Sequence, residues 1–121
     1  TGSRVPIHCT ASGKLFLAQM QAKERDAFID GLPLERMTPN TITKAAALRA
    51  ECEAIAKQGY SCDREEFIAG LVAVAVPVRD TAGAVRAALA VHAPTARMSM
   101  DDALGRIDAL KAAAQRMAGL L

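Results

Sequence analysis

Residues 71–92, LVAVAVPVRDTAGAVRAALAVH, decide the fold class. β-Branched residues alternate with small ones over Leu71 to Arg79, and a second alternating run covers Ala84 to His92. Asp80-Thr81-Ala82-Gly83 lies between them, a turn with glycine where positive φ costs little. Alternation places Val72, Val74, Val76 and Val78 on one face of the first strand, and Leu71, Ala73, Ala75 and Pro77 on the other. In the second strand Val85, Ala87, Leu89 and Val91 oppose Arg86, Ala88, Ala90 and His92. Because Leu71 to Val78 is apolar on both faces, the hairpin needs cover on two sides or further strands beside it.

Helical signals flank this hairpin. Residues from about 11 to 22 predict a short helix with Phe16, Leu17 and Met20 inward. Lys23 to Asp30 predicts another, with Phe28 and Ile29 inward and Gly31 and Pro33 as its stop. Thr41 or Thr43 is placed to cap a third helix that carries Ala45, Leu48, Cys52 and Ile55 at helical spacing. That helix ends at Gln58, before a left-handed Gly59. Tyr60 to Asp63 reads as a short strand followed by an acidic turn, with Glu65 and Glu66 as surface turn residues or partners for Arg64. Ser99 and Asp102 form a capping box that opens one long helix, with a stripe from Met100 through Leu104, Ile107, Leu110, Ala114 and Met117 to Leu121. The expected fold is therefore α+β, an antiparallel sheet flanked by helices, small enough to suggest a larger domain or completion by association.

Composition excludes several function classes. The 121 residues are one domain's length, 51% apolar and 23% charged, which argues against a disordered tail. A formal net charge of +2, with basic residues scattered, offers no stripe to neutralise phosphates. With 3% aromatic residues there is little surface for stacking bases. Three cysteines without CxxC spacing support neither a disulfide framework nor a zinc ribbon. No apolar run is long enough to span a bilayer, and Arg4 is not followed by the apolar stretch of a signal peptide, so the expected location is the cytoplasm. His8, Cys9, Cys62 and His92 lack metal-motif spacing and no third group completes a Cys/His nucleophile, so no metal, cofactor or catalytic residue is expected. Gly13-Lys14 is no phosphate loop, since the earlier glycine and the following Ser or Thr are missing. Lys14 reads as a solvated or packing lysine. Ala11-Ser12-Gly13 opens a helix after an extended segment, and such an N-terminus can either be simply capped or receive a carboxylate. The alanine face of the hairpin can likewise be a close helix-packing surface or a cavity floor.

Several stretches together resemble the IclR family of bacterial transcriptional regulators. They are Pro6-Ile7-His8-Cys9-Thr10-Ala11-Ser12-Gly13-Lys14-Leu15-Phe16-Leu17-Ala18, then Met37-Thr38-Pro39-Asn40-Thr41-Ile42. Gln58-Gly59-Tyr60 follows with Asp63, Glu65 and Glu66, then Gly70-Leu71 leading to Val74 through Asp80, then Ala93-Pro94 with Arg97. The resemblance implies a GAF/profilin-like effector-binding domain over residues 1–121, its C-terminal part, incomplete at the N-terminus. It also implies that the winged helix-turn-helix that binds operator DNA is absent from this chain. Positions matching Ala11, Ser12, Gly13, Asp63, Ala73, Ala90 and His92 would face a small organic-acid effector. Since Ala73 and Ala90 offer room and no donors, a bulkier aromatic or branched acid should suit better than a glyoxylate-sized one. The implied partners are that effector, a second copy in a homodimer or tetramer, and DNA only through the absent domain. The rival readings are an oligomerisation module with a vestigial pocket and a small enzyme on a similar scaffold.

Overall fold

The hairpin is the centre of the molecule. In the computed structural model, which describes residues 6–120, β2 (Leu71–Arg79) and β3 (Val85–Pro94) pair antiparallel with Ala73 opposite His92 and Ala75 opposite Ala90. A register shift at Val78/Arg79 leads into the turn, where Gly83 takes φ 87° and the Asp80 carboxylate accepts from the Ala82 and Ala84 amides. Those backbone bonds, Ala84's foremost, hold the Asp80 carboxyl below its usual range. The short β1 (Ser61–Arg64) pairs antiparallel with the other edge of β2, giving the order β1-β2-β3. The α+β class expected from the sequence is the observed one.

Each face of β2 has its own helical layer, which answers its two-sided apolarity. Val72, Val74, Val76 and Val78 pack with Met98, Ala103, Ile107, Leu110 and Ala114, from the short α4 (Met100–Leu104), α5 (Ile107–Ala118) and the segment before them. Ala73 and Ala75 pack with Ala11, Leu15 and Ala18 of α1 (Ala11–Gln19) and with Leu48, Cys52 and Ile55 of α3 (Ala45–Gln58). Small residues on this face let α1 lie close to the sheet. The intervening α2 (Ala22–Asp30) contributes Ile29 to that core and is tied to α3 by Arg49 and Asp30 at 3.1 Å.

Five expectations need correction. Phe16 and Phe28 point outward, 40% and 45% exposed: the close approach of α1 to the alanine face leaves Leu15 and Ala18 inside beside the expected Leu17, and on α2 the buried positions are Arg25 and Ile29. Neither Thr41 nor Thr43 caps α3; its N-cap is Lys44, without a side-chain bond. The capping box of Ser99 and Asp102 forms, but a turn at Gly105 and Arg106 splits the expected long helix into α4 and α5. Glu66 is no surface residue, nor is Lys14 solvated, since both are buried. Arg4 and Leu121, the latter the end of the predicted stripe, lie outside the described residues. Gly59 does adopt φ 80° at the end of α3, as its position after Gln58 suggests.

Candidate functional site

The start of α1 faces the end of β1 across a cleft. Thr10 is the N-cap: its hydroxyl accepts from the Gly13 amide at 3.1 Å and donates to the Pro6 carbonyl at 3.0 Å. One first-turn amide is thus already used, and those of Ala11 and Ser12 remain at the helix end. A cleft of about 470 Å³ is lined by Thr10, Ser12, Asp63, Phe67, Ile68, Leu71 and His92. Its polar groups therefore come from α1, β1 and β3, and its apolar wall from the segment that leads into β2.

Three of the residues expected at a site meet here: Ser12, Asp63 and His92. Ala11 and Ala73 are fully buried in the core beneath α1, and Ala90 packs partly buried against the same cluster. Gly13 sits where α1 touches the incoming chain, at the Ile7 backbone. The alanine face is thus a helix-packing surface along α1, with the cleft beyond the helix's N-terminal end. Phe67 and Ile68, which line that cleft, were not singled out by sequence reasoning, because loop positions carry no periodicity.

Asp63 is a costly residue to place here. It is only 3% exposed, and its carboxylate accepts from the Glu66 amide at 2.7 Å. Burial pushes its carboxyl above the usual range; the Glu66 amide bond opposes that shift and the Glu66 charge adds to it. A carboxyl raised in the folded state binds protons more readily folded than unfolded, so stability falls as pH rises through its folded value. Asp63→Asn, nearly the same shape without the charge, is accordingly expected to raise the urea midpoint at pH 8 but not at pH 3. Equal shifts at both pH values would contradict this assignment.

Behind Asp63 lies a buried ion cluster. Lys14 Nζ, with no exposed surface, donates to the Cys62 carbonyl at 2.6 Å and to both Glu66 oxygens at 2.8 and 3.0 Å. Its remaining contact is Glu51 on α3, at 2.8 Å. Burial alone lowers the Lys14 pKa, but Glu66 and Glu51 together outweigh it and leave the ammonium held above its usual value. A signal for this residue existed in the sequence: Lys14 falls at the buried spacing of Ala11, Leu15 and Ala18 on one helix face.

The turn after β1 is also gripped from outside. Asn40 Nδ2 donates to the Arg64 carbonyl at 3.0 Å, while the Thr38 and Thr41 hydroxyls donate to the Glu65 and Glu66 carbonyls at 2.6 Å each. Three successive carbonyls are satisfied by one four-residue segment, which keeps Glu65 at its positive φ of 58°.

The three cysteines and His8 are buried. Burial pushes the Cys9 and Cys52 thiols up to about 11 and raises that of Cys62. Since the thiolate is the reactive form, all three should resist Ellman's reagent at pH 8 and react only as fast as the protein unfolds. Rapid labelling of the native protein would show an exposed thiol. His8 Nε2 is 2.8 Å from the Glu35 carbonyl, whereas His92 is exposed at the cleft. Among the described residues no three His, Cys, Asp or Glu side chains gather to hold a metal ion, and no helix is long and apolar enough to cross a membrane.

The motifs and the fold converge on one family of regulators. The family model described as "Bacterial transcriptional regulator IclR C-terminal" matches residues 1–118, and the chain belongs to the IclR family. It is similar to the "Probable transcriptional regulator SauR" of Cupriavidus necator, 43% identical over 116 residues, covering 96% of this chain and 46% of that protein. To the "HTH-type transcriptional regulator KdgR" of Escherichia coli it is 36% identical, covering 96% of this chain and 44% of the relative. The chain thus spans less than half the length of these curated relatives. Among solved structures, the PobR transcription factor inducer-binding domain from Acinetobacter, a double mutant in complex with 3-hydroxybenzoic acid, superposes with a TM-score of 0.93 at 29% identity. That match covers 99% of this chain and 69% of the PobR chain. These relatives are transcriptional regulators, not enzymes, and this chain is the IclR-type C-terminal domain of such a regulator.

Proposed function

We propose that the cleft binds a small carboxylic acid with an aromatic or branched body, and that its occupancy modulates DNA binding by an attached winged helix-turn-helix. The observation that carries this reading is the pairing of polar and apolar walls in one cleft of about 470 Å³. The open amides and positive end of α1 suit a carboxylate. Asp63 supplies an acceptor for a ligand hydroxyl, His92 stands at the rim, and Phe67, Ile68 and Leu71 suit an apolar ring. Burying roughly 100 Å² of ring would gain about 2.5 kcal/mol at about 25 cal/mol per Å², a contribution unavailable to glyoxylate. The PobR domain's complex with 3-hydroxybenzoic acid supports an acid of this size.

The test is calorimetric titration with 3-hydroxybenzoate, a branched-chain organic acid and glyoxylate, repeated on Ser12→Trp, which fills the cleft. The two larger acids are expected to bind the wild type and neither to bind the variant. Binding of glyoxylate alone, or binding indifferent to Ser12→Trp, would overturn the reading.

Assembly belongs to the same proposal. One edge of β3 is without a strand among the described residues, and Ala87, Ala88, Leu89, Ala90 and Val91 are half-buried there. An open edge strand of ten residues, with a half-buried apolar run from Ala87 to Val91, favours pairing with more chain or another subunit. In the whole protein we expect the rest of the sheet and the DNA-binding segment to precede this stretch, and a homodimer or tetramer to form. An effector then acts by preferring one conformation, each tenfold preference supplying about 1.4 kcal/mol. Light scattering should give a mass above the monomer's; a monomer at high micromolar concentration would count against assembly. This chain alone should not shift a specific duplex in a gel at physiological salt, given its net charge of +2.

A further inference from the structure

Lys14 is placed unlike any other charged residue of the described chain. Its side chain leaves α1 two residues after Ser12, a cleft residue, and ends at two points that flank Asp63 in sequence. Before Asp63 it holds the Cys62 carbonyl at 2.6 Å; after it, the Glu66 carboxylate at 2.8 Å. Glu66 in turn accepts from the Arg64 amide at 3.0 Å, and its own amide donates to Asp63 at 2.7 Å. The ammonium therefore connects the helix end on one side of the cleft to the carboxylate on the other.

We infer that Lys14 is the positioning residue of the cleft: through Glu66 and the Cys62 carbonyl it fixes Asp63 relative to the first turn of α1. This deepens the proposed ligand reading and rests on it for its functional meaning. Lys14 itself does not line the cleft, so it acts through the residues it holds. The physical reason is stiffness. A buried ammonium with four oxygen atoms around it leaves the 62–66 segment few alternative arrangements. The alternative is that Thr38, Asn40 and Thr41 alone fix the turn from outside and Lys14 merely neutralises Glu66 and Glu51.

The deciding variant is Lys14→Met/Glu66→Gln, which removes the pair's charges with an isosteric change at Glu66 and a side chain one atom shorter at Lys14. Amide hydrogen exchange would be compared at Glu66 and Phe67 and at Val74 and Val76 of β2. We expect protection at the two turn amides to fall at least tenfold while the two strand amides keep theirs. Unchanged turn protection, or an equal fall in turn and strand, would overturn the inference, since a merely stabilising pair moves both alike. Should the double variant not fold, Glu66→Gln alone carries the same comparison with the same two outcomes. With 3-hydroxybenzoate as probe, the folded double variant should bind at least tenfold more weakly than wild type; equal affinity would also overturn the inference. If wild type itself does not bind 3-hydroxybenzoate, the ligand reading fails for that acid. The exchange comparison, which uses no ligand, still decides the role of Lys14.

Discussion

Lys14→Met is expected to destabilise the protein by about 3–5 kcal/mol, measured by urea unfolding at pH 7. Methionine fills much the same volume, so the loss would not come from a cavity. It comes from Glu66, whose carboxylate side chain is 7% exposed and would lose its only cationic partner among the described residues. Glu51, at 31% exposure, can turn to water and contributes less. Because folding raises the pKa of Lys14, its stabilising contribution is complete below the usual 10.5 and is lost only as pH climbs through the folded value. Lys14→Met/Glu66→Gln should recover most of the lost stability, because replacing both members of a buried pair costs far less than orphaning one. A single variant within about 0.5 kcal/mol of wild type would show that water reaches Glu66.

The same residues mark where sequence reasoning succeeds and where it stops. The faces of β2 and β3 were legible because side chains alternate by geometry, but that the alanine row packs helices rather than flooring a cavity shows only with α1 and α3 laid on it. Gly59, Gly83 and the Ser99–Asp102 box were legible because each is a local backbone requirement met by a local residue. The orientation of Phe16 and Phe28 was not. Hydrophobicity alone points them inward, while α1 lies so close to the alanine row that Phe16 has no room there, and α2 turns Ile29 rather than Phe28 to the core. Nor was the break at Gly105, where the apolar stripe continues in both halves and hides a turn between them. The Lys14–Glu66 pair joins residues separated by 52 positions, and no periodicity couples them. Ser12, Asp63 and His92 came from family resemblance rather than spacing, and the fold gathers them at one cleft. The clamp of Thr38, Asn40 and Thr41 lay inside a motif whose physical task, satisfying three carbonyls, becomes visible only with the turn in place.

Gly13→Ala inverts the usual effect of its substitution. In an open helix position alanine is favoured over glycine by about 1 kcal/mol. At Gly13 a methyl group would stand 2.7 Å from both the Ile7 Cα and the Thr10 hydroxyl, and would collide with the Ile7 carbonyl. Two of those three neighbours are backbone, so relief requires moving the incoming segment away from the first turn of α1. Overpacking of this kind costs about 1–3 kcal/mol. The displaced Thr10 hydroxyl would also loosen the cap it makes to the Gly13 amide, worth about 1 kcal/mol. Together these outweigh the propensity gain, and the net expectation is a loss of about 2 kcal/mol in urea unfolding. Gly31→Ala is the matched control. There a methyl group would meet the Phe28 carbonyl at 3.7 Å, an ordinary contact, at a φ of −91° that alanine accepts. That variant should be neutral or stabilising by up to about 1 kcal/mol. Thr10 and Ser12 lie just before Gly13 and line the cleft, so Gly13→Ala should also weaken 3-hydroxybenzoate binding where Gly31→Ala does not. If both variants were equally stable, the close approach of Ile7 to α1 would be loose enough to absorb a methyl group, and the geometry assigned to the helix end would be wrong.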